Sequence, residues 1–341
     1  MNGVPVDYHH GGRDSHCRAA LFIDSPPLVV RTAGQTENAM ILMEYDIDGS
    51  LARHLPSPGK CIYCGARGIP LTDEHVIPFA IGKDATILDG SCCEVCQKII
   101  QRYEQAVLRH QLGIFRAMVD APTRNKKDRP TTVSLEFVGA NERGETVLEL
   151  GVRVIPLGEA PLILNLWQSP PPGMLNIPID SADAEGRAWR FIESKVADPI
   201  LKSVAEEVGI EHVGFKLHPV NRLHYLRTLA KTAHAYAAAE LGADAFRPFL
   251  TDIILNRSDE VARYVGDLAG VASIEGATGH SFKITLGEVP EDAGIGKGII
   301  VVFMQFWADL GSPPHLVVVG EALTDLQVQF ESRATDRGPQ A

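Results

Sequence analysis

The sequence contains no apolar run long enough to cross a membrane as a helix. Gly298 to Met304, broken at Gln305, falls far short of the roughly 18–20 residues such a span needs. The N-terminus carries His9, His10 and Arg13 but no apolar core followed by a cleavage site, so no secretory signal is expected. Cysteine is nearly absent outside one short stretch: five of the six fall within residues 61–96. A disulfide-framed exported domain would spread its cysteines along the chain. No internal repeat with a period of 20–50 residues stands out. Together these absences point to a soluble cytoplasmic protein with no membrane partner.

What is present is an ordinary globular composition, 45% apolar and 22% charged over 341 residues. That length suits two domains, or one with an N-terminal appendage. The net charge of −11 argues at first against a nucleic-acid partner, but it is unevenly spread. Between Pro56 and Pro130 there are eleven Lys/Arg and eight Asp/Glu, a local net of +3 that leaves −14 for the rest. A basic module on an acidic carrier is compatible with that total.

The densest chemistry lies in Cys61 to Cys96, where two Cys-x-x-Cys pairs enclose Asp73-Glu74-His75. A Cys-x-x-Cys turn puts two sulfurs on one side of the backbone, and two such turns supply the four tetrahedral ligands zinc favours. Cys61, Cys64, Cys93 and Cys96 are therefore the candidate structural Zn²⁺ site. Cys92 is an alternative to Cys93 with an x3 spacing. A thioredoxin-like redox pair would want a βαβ context, which is missing, and only one pair.

Residues 1–55 read as a largely unstructured segment and linker, and the linker character of Ser50–Lys60, with Pro56, Pro58 and Gly59, runs on to the first cysteine. Pro70-Leu-Thr and Val76-Ile-Pro-Phe suggest short strands either side of the Glu74-His75 corner, Gly82–Gly90 a loop, and Gln97–Val119 a helix opened by the second cysteine pair. Pro122–Pro130 is a basic loop carrying Arg124, Lys126, Lys127 and Arg129; those cations suit phosphate contact, or simply a solvated loop. Thr131–Val138 and Glu145–Val154 alternate as a hairpin, and Leu162–Trp167 adds a strand. Helices are expected over Trp189–Val208, Asn221–Leu241 and Ser258–Leu268, the second rich in alanine and hence closely packed. Strands return at Ser281–Val289, Gly298–Phe306 and His315–Gly320, and the tail from 331 to 341 is expected to fray. Gly294-Ile-Gly-Lys-Gly298 precedes a strand and lacks a following Ser/Thr, so it is a turn and not a phosphate loop. Asn256-Arg-Ser258 matches a glycosylation sequon without consequence in a cytoplasmic chain.

Phosphodiester hydrolysis needs a base for water and a cation for the charge on phosphate. A neutral imidazole of ordinary pKa, about 6.5, suits the first, and a hard cation held by carboxylate or amide oxygens the second. His75 beside Glu74 fits that chemistry, and fits equally a partly buried histidine of a zinc knuckle. Asp73 is a further candidate, as a ligand, as a partner orienting His75, or as a plain turn residue.

Cys-x-x-Cys, then acid-His-x-x-Pro, then Cys-x-x-Cys opening a helix resembles the HNH endonuclease family over about Cys61 to Arg129, a fifth of the chain. The resemblance implies a ββα-metal fold, His75 as general base, and Glu74 as a ligand of a catalytic Mg²⁺ or Mn²⁺. The other ligand would come from position 97, where the family often has Asn. Gln97 keeps the amide oxygen but can displace it by about 1.5 Å, one carbon–carbon bond. The family's central Asn has no counterpart in Thr86–Ser91. DNA as the nucleic acid is likewise implied by the family alone.

The expectation is thus an α+β protein. A small zinc-stapled ββα-metal module over residues 56–130 cuts nucleic acid, and a larger mixed domain over 131–330 has an unassigned role, with a protein partner or self-association open to it. The alternative is a non-catalytic zinc-dependent nucleic-acid-binding module whose C-terminal domain contacts a protein. A purely structural zinc knuckle is the third reading.

Overall fold

Three apolar strands near the C-terminus build the largest sheet. In the computed structural model of the protein, residues 40–46, 53–82, 86–119, 121–123, 129–141, 146–179, 184–268, 274, 282–289 and 298–323 are described. Strands β12 (Phe282–Val289), β13 (Ile299–Phe306) and β14 (His315–Ala322) pair antiparallel in sequence order. β13 is buried along its whole length, so its unbroken apolar run is what a strand covered on both faces requires. β1 (Met40–Asp46), within the stretch read as an appendage, adds to the far side of β12. β10 (Phe246–Pro248) and β11 (Val265–Asp267) both pair with β14.

The zinc-candidate region forms a second small sheet of β2 (Arg53–Leu55), β3 (Leu71–His75) and β4 (Thr86–Cys93), in the order β2-β4-β3. A short helix, α1 (Phe79–Gly82), follows β3. The expected strand at Val76–Phe79 and the loop at Gly82–Gly90 are corrected here. Pro78 has no N–H for a ladder, whereas Thr86-Ile-Leu runs as a paired strand before the Asp89-Gly90 bend. Helix α2 (Glu94–Ala106) passes into a π-helical turn (Val107–Gln111) and then α3 (Gly113–Met118), so the single helix expected to Val119 is interrupted. In the wide turn Leu112 N–H donates to Val107 at 2.9 Å, and the Leu108 carbonyl instead accepts from Arg116 at 3.1 Å.

The hairpin β5 (Thr132–Ala140) and β6 (Thr146–Pro156) takes β9 (Val213–Lys216) as its third strand. β7 (Ile163–Gln168) pairs with β8 (Arg187–Ile192), and α4 (Ser194–Val208) follows. Trp189–Ile192 was expected to open that helix; the pairing to β7 makes it a strand. Likewise Ser258–Leu268 is no helix: Ser258 Oγ accepts the Glu260 N–H at 3.2 Å, and the chain makes a 3₁₀ turn (Val261–Arg263) before β11. A short α6 (Thr251–Ile254) precedes it.

Helix α5 (Arg222–Leu241) is the spine of the molecule. Asn221 caps it, its side-chain oxygen accepting the His224 N–H at 3.0 Å. Every residue from Tyr225 to Leu241 is buried, because the helix packs against α2 on one side and β14 on another. Alanines make that close approach possible, as the composition foretold. One apolar cluster accordingly runs from Leu55 and Tyr103 through Leu229 and Tyr236 to Val302 and Val317. The architecture is mixed α and β with several small sheets, and no barrel among the described residues. No helix among them is long and apolar enough to cross a membrane.

Candidate metal centre and cleft

Cys61 and Cys64 lie on a tight turn in which Gly65 N–H returns to the Cys61 carbonyl at 2.9 Å. Gly65 has φ of +74°, a conformation that side chains with a Cβ rarely adopt, so glycine after the second cysteine is a requirement of the turn. Cys93 ends β4 and Cys96 lies in the first turn of α2. The four sulfurs all fall within 4.8 Å of one another and could hold a metal ion such as zinc. Cys64 Sγ and Cys93 Sγ are 3.7 Å apart. Zinc–sulfur bonds near 2.3 Å set tetrahedral sulfurs about 3.8 Å apart, so the cage has the right size.

Cys92 is not among the four. Successive residues of a strand face opposite ways, and Cys92 turns inward, fully buried, where its thiol reaches the Cys93 carbonyl at 3.5 Å. Its hydrogen bond to the Cys61 sulfur, helped by backbone N–H groups of Cys93, Cys64 and Tyr63, holds the Cys61 thiol well below its usual value. Burial pushes Cys64 and Cys96 the other way. Four sulfurs this close cannot all ionise without a cation between them.

Glu74 and His75 end β3. Between the pairs Thr72–Cys92 and Glu74–Leu88, β3 advances two residues and β4 four. Asp73 faces this bulge and accepts the Gly90 N–H at 2.9 Å, a bond that pins the register and turns Glu74 inward. Glu74 is buried and His75 half-buried. Opposite them, α2 presents Gln97, Ile100, Gln101 and Glu104 at helical spacing, and the π turn adds Leu108. Glu74, His75 and Gln97 thereby line one cleft of about 330 Å³, with Arg109 and Arg116 also in its wall.

A residue that no local motif marks completes the wall. Lys231, from the middle of α5, is 2.5 Å from Glu74 Oε1 and 3.3 Å from Glu104 Oε1, and donates to the His75 carbonyl at 2.6 Å. Burial pulls its pKa down, but Glu104 and Glu74 outweigh burial and hold the ammonium above its ordinary value. Burial raises Glu104 in spite of Lys231. The direction that fits three oxygen acceptors around one Nζ is a charged Lys231. Its only signal in the sequence is a charge within an alanine-rich helix, where close packing leaves a cation no exit but a partner.

Arg116 donates to the carbonyls of Ala80, Leu108 and Pro122, bringing α1, the π turn and the following loop to the cleft edge. Arg129 lies beyond it, beside a hollow of about 210 Å³ that Arg116 and Thr123 share with the main cleft. Arg124, Lys126 and Lys127 lie outside the described residues.

α5 also holds the cysteine turn. His234 donates from Nε2 to the Ile62 carbonyl at 2.8 Å, and burial lowers its pKa from 6.5 to about 4, against the raising effect of that bond. An unfolded imidazole takes its proton near pH 6.5 and the folded one only near 4. The stability this neutral histidine brings is complete above pH 6.5 and is lost as pH falls towards 4, about 3 kcal/mol in all. A His234→Gln chain keeps a donor for Ile62 and does not titrate. Urea midpoints followed from pH 7 to 4.5 should fall less steeply for it than for the wild type; equal slopes would remove His234 as the source.

No protein-family model, curated protein or solved structure matches the chain.

Proposed function

We propose that the protein is a metal-dependent endonuclease of HNH type, hydrolysing phosphodiester bonds in nucleic acid, with DNA as the substrate the resemblance favours. One observation carries this reading: Glu74, His75 and Gln97, drawn from two elements that the cysteine cluster ties together, face the same cleft. Zinc is the metal that four cysteine sulfurs in this spacing select, and its role is structural, since a closed four-sulfur site leaves no position for water.

In this reading His75 takes the proton of the attacking water. Glu74 and Gln97 would hold a Mg²⁺ or Mn²⁺ ion, which supplies Lewis-acid stabilisation of charge on the phosphate. Asp73, engaged with Gly90, fixes the strand and leaves Glu74 and His75 to face the chemistry. Arg109 and Arg116 give the wall positive charge for the substrate's phosphates.

A second reading, a zinc-dependent nucleic-acid binder without catalysis, is favoured by Lys231, whose ammonium already serves Glu74. Supercoiled plasmid separates the two. The nuclease is expected to nick it with Mg²⁺ or Mn²⁺, less well as salt rises, and not at all once free divalent cation is withheld. Salt-sensitive binding without nicking under any divalent metal would leave the second reading standing.

A further inference from the structure

The cleft already contains a cation made by the chain itself. Lys231 is buried, comes from a helix 156 residues beyond His75, and is shared between Glu74 and Glu104 while gripping the His75 carbonyl. The long distance matters: nothing local to the cysteine motif requires it. Two carboxylates around one ammonium carry a net charge of −1, which favours a further cation, yet one of those carboxylates is the ligand the nuclease reading assigns to the metal.

We propose that Lys231 is a positioning residue which acts as resident counter-ion of the Glu74–Glu104 pair and competes there with the divalent cation, setting how tightly the cleft takes it. This rests on the reading of the cleft as a divalent-cation site. Like charges a few Å apart in partly buried surroundings repel strongly, so the ammonium weakens divalent binding. Its bond to the His75 carbonyl meanwhile keeps the catalytic corner shaped when no metal is bound. The C-terminal half of the chain thereby becomes part of the site, through one residue.

The test is Mn²⁺ binding by the full chain, read from the free-ion paramagnetic resonance signal, with zinc content checked in each variant. Lys231→Met is expected to bind Mn²⁺ about tenfold tighter than the wild type or better, and to gain more thermal stability from added Mn²⁺. Lys231→Arg, which keeps the charge, should stay near the wild type. Should Lys231→Met fail to fold, Glu104→Gln serves in its place: it leaves Lys231 wholly to Glu74, and Mn²⁺ binding should weaken about tenfold. A role in packing alone would lower stability in Lys231→Met without tightening Mn²⁺ binding. If the wild type binds Mn²⁺ at a site lost in Glu74→Gln, yet neither Lys231→Met nor Glu104→Gln changes that affinity, the proposal is overturned and the nuclease reading stands. If no form of the chain binds Mn²⁺, both fall together.

Discussion

Cys96→Ser, or stripping the metal with a strong chelator, is expected to abolish the folded state of the segment from the cysteine turn to α2. Besides the Ile62 N–H bond to the Ser91 carbonyl at 2.9 Å and the His234 bond to Ile62, the four sulfurs are the link between the first cysteine turn and the β4–α2 junction. Cys61 and Cys64 lie on a turn with no regular secondary structure around it, and Cys93 and Cys96 straddle the junction of β4 and α2. A structural zinc of this type contributes roughly 10 kcal/mol or more, comparable to the whole net stability of a typical domain, about 5–15 kcal/mol. Hydrogen exchange offers a local readout. Amides of Ile100 and Tyr103 in α2 should lose protection, while those of β13, in the distant sheet, should keep most of theirs. Cys92→Ala is the control, costing packing around Cys61 but leaving one metal per chain. The reverse pattern, metal lost with Cys92 and kept without Cys93, would mean that the cage is built from the other cysteine.

His75→Ala is expected to lower plasmid cleavage by a factor of about 10²–10⁴, the usual worth of a positioned general base. Stability should move little, because the imidazole is half-buried at the cleft wall and Lys231 grips the His75 carbonyl, which the substitution keeps. Zinc content should be unchanged, and so should salt-dependent binding, since the substitution leaves Arg109 and Arg116 of the same wall in place. Cleavage that survives at wild-type rates would falsify the assignment of the base and turn attention to the carboxylates of the same wall.

The parts of this molecule that could be read in the sequence are those whose geometry is local. Cys-x-x-Cys fixes two sulfurs within one turn, so the cage followed from spacing. Asn221 and Gly242 bracket a run of helix formers, and α5 begins at Arg222 and ends at Leu241, within a residue of its expected limits. The strands β12, β13 and β14 were equally plain from their apolar runs. Where pairing decides, the sequence misleads: Trp189–Ile192 has residues a helix would accept, but β7 offers it a partner, and Thr86–Leu88 is drawn into a strand by β2 and β3 on its two sides. The π turn at Val107–Gln111 leaves no mark in a hydrophobic period one residue out of step. Glu74, His75 and Gln97 could be proposed from the motif, whereas Lys231 could not, since nothing in residues 61–96 states that their carboxylates will meet a cation from α5.

That helix gives the protein an order of assembly. Glu240 receives Arg53, His234 the turn at Ile62, Lys231 the Glu74–His75 corner, and Arg227 the Ile253 carbonyl and Asp259. During synthesis, which proceeds at about 5–20 residues per second, the cysteines are made first and can capture metal at once. The clasp on the corner must wait for residue 231, more than 150 residues later. A cage formed by those sulfurs before then would lack Lys231 and the wall that α5 supplies to the cleft.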